Sequence, residues 1–274
     1  MIGLALDEDI GRGDVTTNAL VRPSVFARAV IISRGDYVVS GTTVAGAVFR
    51  KVDPTLSVRV LAGDGRRIRP GGVVMTVSGA ARSILTAERT ALNFMQRMTG
   101  IATLTAQFVA KTKKYGVAIL DTRKTTPGLR RLEKYAVLCG GGRNHRLGLY
   151  DMALIKDNHR KLWARSGMAD LGKAVKMVRL KYRGIPVEVE VESLEELRSA
   201  VRSRPEWILL DNMKPVTVRK CVRACAGRSR LEASGGITLA NVERMARTGI
   251  DAISVGRLTH SAPAADLSLE LEDT

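Results

Sequence analysis

From about residue 115 onward the apolar positions of this chain repeat one unit. A short, nearly uninterrupted apolar run ends in polar residues, and a stretch with the 3.6-residue period of a helix follows. The runs at 117–120, 152–155, 187–191, 207–210, 231–233 and 252–255 are predicted strands, and the periodic stretches at 132–139, 170–182, 194–203, 216–226 and 239–248 are predicted helices. Pro215 stands at a helix start and Thr238 is placed to cap the next one. Strands alternating with helices at this spacing form βαβ units on a parallel sheet. Six such strands, nearly all followed by chemically useful polar groups, favour an α/β barrel, complete or incomplete, over an open sheet. The first hundred residues follow another pattern. Short β-like runs at 27–33, 37–40, 57–62 and 73–78 are separated by Gly- and Asp-rich turns, and a long helix-like stretch over 84–114, with a bend expected at Gly100, leads into the barrel.

Composition narrows the function classes. With 274 residues, 45% of them apolar and 26% charged, the chain can build a sizeable core, which excludes wholesale disorder. No apolar run approaches the roughly 18 residues that a membrane span needs. The opening MIGLALDEDIGRGD is acidic where a signal peptide is basic, and Cys139, Cys221 and Cys225 include no CxxC pair, so a reduced, cytoplasmic location is expected. Cys221 and Cys225, four apart, are read as packing residues on one helix face. The net charge of +17 raises nucleic acid as a partner. Its lysines and arginines are scattered along the whole chain, however, and only 11 aromatic residues are present for base stacking. No specific nucleic-acid role follows; a basic surface that attracts small polyanions fits better. The segment GDGRRIRPGGVVMTVSG has the look of a carrier-domain hammerhead but lacks a hairpin-tip lysine.

In parallel barrels the chemistry collects at the C-terminal strand ends. Those positions here are Asp121-Thr122-Arg123-Lys124, Lys156-Asp157-Asn158, Glu190-Val191-Glu192, Asp211-Asn212, Ser234-Gly235-Gly236 and Gly256-Arg257. Within VEVEVE, alternation puts Val187, Val189 and Val191 on one face and Glu188, Glu190 and Glu192 on the other. Both faces of a barrel strand are covered, so the glutamates should enter the lumen, where buried carboxylates need cations. Lys124 and Lys156 are the expected partners, or Mg²⁺ held together with Asp211. The turns SGGIT (234–238) and SVG (254–256) fall after the last two strands, where glycine and a helix N-terminus can cradle a phosphate. CGGGRNHR (139–146) gathers Arg143, His145 and Arg146, donors suited to carboxylates. His159 and His260, taken alone, read as structural.

The run DTRKTTPGLRRLEKYAVLCGGGRNHRLGLYDMALIKDNH (121–159) resembles the central signature of the quinolinate phosphoribosyltransferases. So do EDIGRGDVTT, AERTALNFMQRMTGIAT, VEVEVESLEEL, LLDNM, EASGGI and SVGRLTHSAPAADLSLEL, in order. The resemblance implies an N-terminal α/β sandwich domain (1–100), an incomplete α/β-barrel catalytic domain (101–261), a tail (262–274) returning to the first domain, and a homodimer. It implies transfer of phosphoribosyl from phosphoribosyl pyrophosphate to quinolinate with decarboxylation, in NAD biosynthesis. By the same resemblance Arg123, His145 and Arg146, with Arg89 from the neighbouring subunit, bind the quinolinate carboxylates. Lys124 and Lys156 contact phosphoribosyl pyrophosphate, Glu190 and Asp211 meet its ribose and Mg²⁺, and Ser234, Gly235, Gly236, Gly256 and His260 hold the 5′-phosphate. Arg89 lies among the apolar Ala91, Leu92, Phe94 and Met95, so its charge looks buried. The intact DTRK and GGGRNHR motifs separate the chain from a fold-sharing family associated with molybdate transport.

Overall fold

The structure is a computed structural model that describes residues 1–165 and 170–272, so the last two residues of the 262–274 tail lie outside it. In chain order the first elements are α1 (Ile2–Ile10), α2 (Val15–Leu20), β1 (Phe26–Ser33), β2 (Tyr37–Val38), α3 (Thr42–Val52), β3 (Ser57–Val60), β4 (Arg67–Ile68), β5 (Val73–Ala80) and α4 (Ala81–Thr112). Then come β6 (Ala118–Leu120), α5 (Arg130–Cys139), β7 (Ala153–Ile155), α6 (Asp157–Arg165), α7 (Leu171–Lys181), β8 (Val187–Val191) and α8 (Leu194–Arg202). The chain continues with β9 (Trp207–Asp211), α9 (Pro215–Cys225), β10 (Arg230–Ser234), α10 (Val242–Ala246), β11 (Ala252–Ser254), α11 (Arg257–His260) and β12 (Leu267–Leu271). Two units result: residues 1–106 with 126–141 and 258–274, and residues 107–125 with 142–257.

The first unit is an α/β sandwich on an antiparallel sheet of order β12-β1-β5-β3. Alternate residues of β1 and β5 (Ala29, Ile31, Met75, Val77) face a core closed by Ala45, Val48 and Phe49 of α3. The stripe Ile84, Ala87, Ala91 and Met95 of α4 packs into the same core. Its spacing is that of one helix face. Burying each large side chain there contributes about 1.5–3 kcal/mol. β12 completes the sheet beside β1, from Ser33↔Leu267 to Ala29↔Leu271. Where a bend is expected at Gly100, α4 runs on as uninterrupted helix. Glycine is required there for another reason: a Cβ would stand 1.9 Å from the carbonyl oxygen of Pro263.

The second unit carries a six-stranded parallel sheet of order β6-β11-β10-β9-β8-β7. Beyond β6, Arg143 adds one parallel bridge to Leu120. The barrel is therefore incomplete, with β7 at its other edge. The helices between its strands start as their sequences direct. Ser193 caps α8 by accepting from the Glu196 N–H, Asp170 does the same for α7 through Lys173, and Pro215 opens α9. Cys221 and Cys225 are buried free thiols on α9. The helix expected at 239–248 shortens to α10, because Thr238 does not cap a helix; its own N–H is taken by the Asn241 side chain. Among the described residues no helix is long and apolar enough to cross a membrane.

Candidate active site

Strand register decides which side chains enter the lumen of the second unit. Glu190 pairs with Leu209, which pairs with Glu232, and Asp211 pairs with Ser234. Neighbours in register share a face, so Glu188, Glu190, Asp211, Glu232 and Ser234 project to one side while Val187, Val189 and Val191 pack on the other. The alternation expected for VEVEVE holds for Glu188 and Glu190. It fails for Glu192, which is exposed because the strand ends at Val191.

The partners of these glutamates match the expectation only in part. Lys156 Nζ stands 3.8 Å from Glu190 Oε2, a loose pair. Glu188 pairs with a histidine: its Oε2 lies 2.8 Å from His145 Nε2, which is also 3.4 Å from Glu232 Oε2. Glu232 escaped the sequence reading. The signal that marks it is parity: it lies two residues before Ser234 on the same strand face. His145 is held along its whole length. Its N–H donates to Asp121 Oδ1, and its Nδ1 accepts from the Arg146 N–H. That leaves Nε2 as the proton-bearing nitrogen facing the carboxylates.

Burial and crowding set the protonation of this cluster. Burial would lower the His145 pKa, but hydrogen bonds and charges from Glu188 and Glu232 outweigh it and raise it to about 10. A second proton on the ring requires the local Arg146 contact to open. Burial, reinforced by the Glu232 charge, pushes Glu188 up to about 7 against the pull of His145 and Arg146. Oε1 of both glutamates is buried without a hydrogen-bond partner among the described residues. The donor atoms of His145, Glu188 and Glu232 lie within 4.8 Å of one another, close enough to share a cation.

The remaining strand-end residues fall into three groups. Arg146 is buried and donates to the Met152 carbonyl; burial, then the neighbouring Arg123, lowers its pKa. Arg123 Nε is itself buried with no hydrogen bond to a described residue. The structure thus brings together two guanidiniums whose repulsion Glu188 and Asp151 partly offset, while Arg143, expected with them, is exposed and contributes its backbone to the sheet. In the second group, burial and the Asp211 charge raise the Glu190 pKa against Lys156. The third group is the glycine turn. Gly235 has φ +96°, and a Cβ on it would lie 2.0 Å from Asn212 Oδ1. Asn212 also has positive φ and donates its N–H to the Ser234 carbonyl. Any anion held at Gly235 and Gly236 (φ +60°) would meet backbone rather than the start of a helix, since α10 begins only at Val242. Gly256 sits between β11 and α11.

Arg89 and His260 belong to the first unit. His260 is exposed. Arg89 is exposed too, with its side chain 59% accessible and 4.0 Å from Glu88. The buried look of its sequence neighbourhood misleads, because the apolar stripe of α4 runs through Ala87, Ala91 and Met95 and Arg89 points off it. Of the strand-end residues, Arg146 alone borders the cavity of about 1120 Å³ walled by Leu149, Trp163, Leu171 and Met177.

Comparison with known proteins follows this layout. Residues 14–99 match the family model for the quinolinate phosphoribosyl transferase N-terminal domain, and residues 101–270 match that for the C-terminal domain. A nicotinate-nucleotide pyrophosphorylase [carboxylating] of Mycobacterium leprae is 43% identical over 97% of this chain and 94% of its own. A chloroplastic enzyme of the same name from Oryza sativa is 41% identical, covering 99% of this chain and 77% of its own. The crystal structure of NadC from Streptococcus pyogenes superposes with a TM-score of 0.93 at 38% identity, covering 99% of this chain and 96% of that one.

Proposed function

This chain belongs to the quinolinate phosphoribosyltransferase family, and we propose that its strand-end residues carry the family reaction in named roles. The reaction transfers the phosphoribosyl group of phosphoribosyl pyrophosphate to quinolinate with decarboxylation. It gives nicotinate mononucleotide, pyrophosphate and CO₂ in NAD biosynthesis. The observation that carries the assignment of roles is the paired, partly desolvated guanidiniums of Arg123 and Arg146 beside His145. Crowded cations in a low-dielectric pocket suit a dianionic pyridine dicarboxylate better than any neutral substrate.

Arg123, Arg146 and His145 clamp the two quinolinate carboxylates and so aim the ring nitrogen at the ribose C1. Lys124 and Lys156 bind phosphoribosyl pyrophosphate and neutralise charge as the C1–O bond to pyrophosphate breaks. Ser234, Gly235, Gly236, Gly256 and His260 bind the 5′-phosphate. Once the nitrogen is alkylated it is cationic, and it stabilises the electron pair left on C2 as CO₂ departs, until a proton takes up that pair to give the C2–H of the product. Glu190 and Asp211 meet the ribose hydroxyls. They also fit a metal: two carboxylates on adjacent strands, with the Asp211 charge raising the Glu190 pKa, offer the oxygen donors that a hard cation prefers. Mg²⁺ bound there would supply further charge neutralisation for the departing pyrophosphate. The working form is a cytoplasmic homodimer in which Arg89, exposed on α4, completes the quinolinate clamp of the partner.

A coupled assay tests the reading. Nicotinate mononucleotide and CO₂ should form from quinolinate, phosphoribosyl pyrophosphate and Mg²⁺, with little turnover when nicotinate replaces quinolinate. Equal turnover of nicotinate would refute the two-carboxylate clamp, and no product from quinolinate would refute the assignment.

A further inference from the structure

The floor of the lumen holds two fully buried glutamates that the reaction as described does not use. Glu188 and Glu232 come from strands separated by β9, and both direct an oxygen at the same nitrogen, His145 Nε2. We propose that Glu188 and Glu232 are positioning residues for the quinolinate clamp, fixing the His145 ring and supporting the Arg146 guanidinium from below. The inference rests on the family reaction and on the clamp roles given above for His145 and Arg146.

Three observations support it. First, the ring is gripped at both edges: the glutamates take Nε2, the Arg146 N–H takes Nδ1, and Asp121 anchors the backbone. Rotation about the side-chain bonds of His145 therefore breaks contacts on both sides at once. Second, Glu188 acts on Arg146 as well. Its charge, with that of Asp151, offsets the repulsion that Arg123 exerts on Arg146. One buried carboxylate thus serves two consecutive residues of the clamp. Third, the floor is poorly made as a folding element. Of four carboxylate oxygens, two (Oε1 of each glutamate) have no hydrogen bond among the described residues, and the two acids repel each other. Buried ionic groups left in this state weaken a fold relative to neutral residues of the same size, and they persist at functional sites.

The described groups around His145 include Glu188 from β8, Glu232 from β10, Asp121 after β6, and Arg146 with its neighbours Arg123 and Asp151. Glutamine at either floor position keeps the shape and a hydrogen-bonding oxygen while removing the charge, so it separates positioning from packing.

The test uses the full-length enzyme with Glu188→Gln, Glu232→Gln and the double variant. The double variant should raise the KM for quinolinate about tenfold or more, as expected when a buried charge partner is lost. Its KM for phosphoribosyl pyrophosphate should stay within about threefold, and its melting temperature should be no lower than wild type. In a His145→Ala background the same glutamine changes should add little, because they act through that ring. An unchanged quinolinate KM overturns the proposal. So does a fall in melting temperature with both KM values rising together, which marks a folding role. A third overturning result is Mn²⁺ or Zn²⁺ binding by calorimetry that the glutamine variants abolish, which marks a metal site. Absence of quinolinate turnover in the wild type would instead refute the reaction, so the two failures are distinguishable.

Discussion

Two carboxylate-centred clusters in the second unit make opposite use of the same residue type. Glu243, on the surface, receives Lys114, Arg247 and the Tyr115 hydroxyl, each at 2.9 Å. Hydrogen bonds from Lys114 and Arg247 pull its pKa down to about 2. Glu188, in the lumen, has one partial partner in His145, a like charge beside it and an oxygen bonded to nothing among the described residues, and it is pushed up to about 7. The Glu243 cluster is complete as it stands and asks for no ligand. The lumen cluster is incomplete, and the deficit lies beside the residues proposed to clamp the substrate. Satisfied charge marks architecture and unsatisfied buried charge marks chemistry.

The sharpest way to break this comparison is to remove one under-paired cation. Arg123→Ala should weaken quinolinate binding by about 2–5 kcal/mol while phosphoribosyl pyrophosphate binds within a few-fold of normal. Arg247→Ala, from the complete cluster, should alter neither. Titration calorimetry on both variants decides, and normal quinolinate affinity in the Arg123 variant would sink the clamp.

A smaller effect tests whether the incomplete site is finished by a second subunit. Arg89→Ala and Lys156→Ala should each be nearly inactive alone. Mixed and allowed to exchange subunits, they should recover about a quarter of wild-type activity, since about half the dimers are hybrids with one intact site. Confirmed exchange without recovery would place Arg89 outside the site.

The smallest expected effect is on stability, and there the two clusters should differ in sign. The His145 pKa is raised by folding, so its contribution is fully present below about pH 6.5 and is lost as pH rises through about 10. The Glu243 pKa is lowered by folding, so its contribution is present above about pH 4.5 and is lost as pH falls through about 2. Melting curves of His145→Ala should therefore approach wild type toward high pH, and those of Glu243→Gln toward low pH. Parallel offsets at every pH would show that neither cluster is coupled to protons.

How much of this was legible beforehand depended on whether the cause of a feature lay nearby in sequence. The barrel strands were, because strands buried on both faces read as continuous apolar runs with polar ends, and 187–191 is reproduced without change. α3 was missed. TTVAGAVFRKV is rich in β-branched residues and glycine, and its first N–H is capped by Asp64, 22 residues away. Gly100 was seen, but its reason, the Pro263 carbonyl, lies far along the chain. In the site, Arg123, Lys156, Glu190 and Asp211 were singled out because they stand at or just after strand ends, and Arg146 because it follows the glycines of CGGGRNHR. Glu232 was not, because it precedes its strand end by two residues; parity with Ser234 hints at its face, and register with Glu190, through Leu209, places it there.

The place of β12 in the first sheet has a consequence for biosynthesis. Ser33 leaves the ribosome early, yet its sheet neighbour Leu267 is added 234 residues later. At about 5–20 residues per second, β1 waits roughly 10–50 s with one edge open. An open strand edge is the surface on which chains add to one another. The nascent first unit is thus exposed throughout translation of the barrel, and holding that edge apart from other nascent chains is a task for chaperones rather than for the sequence.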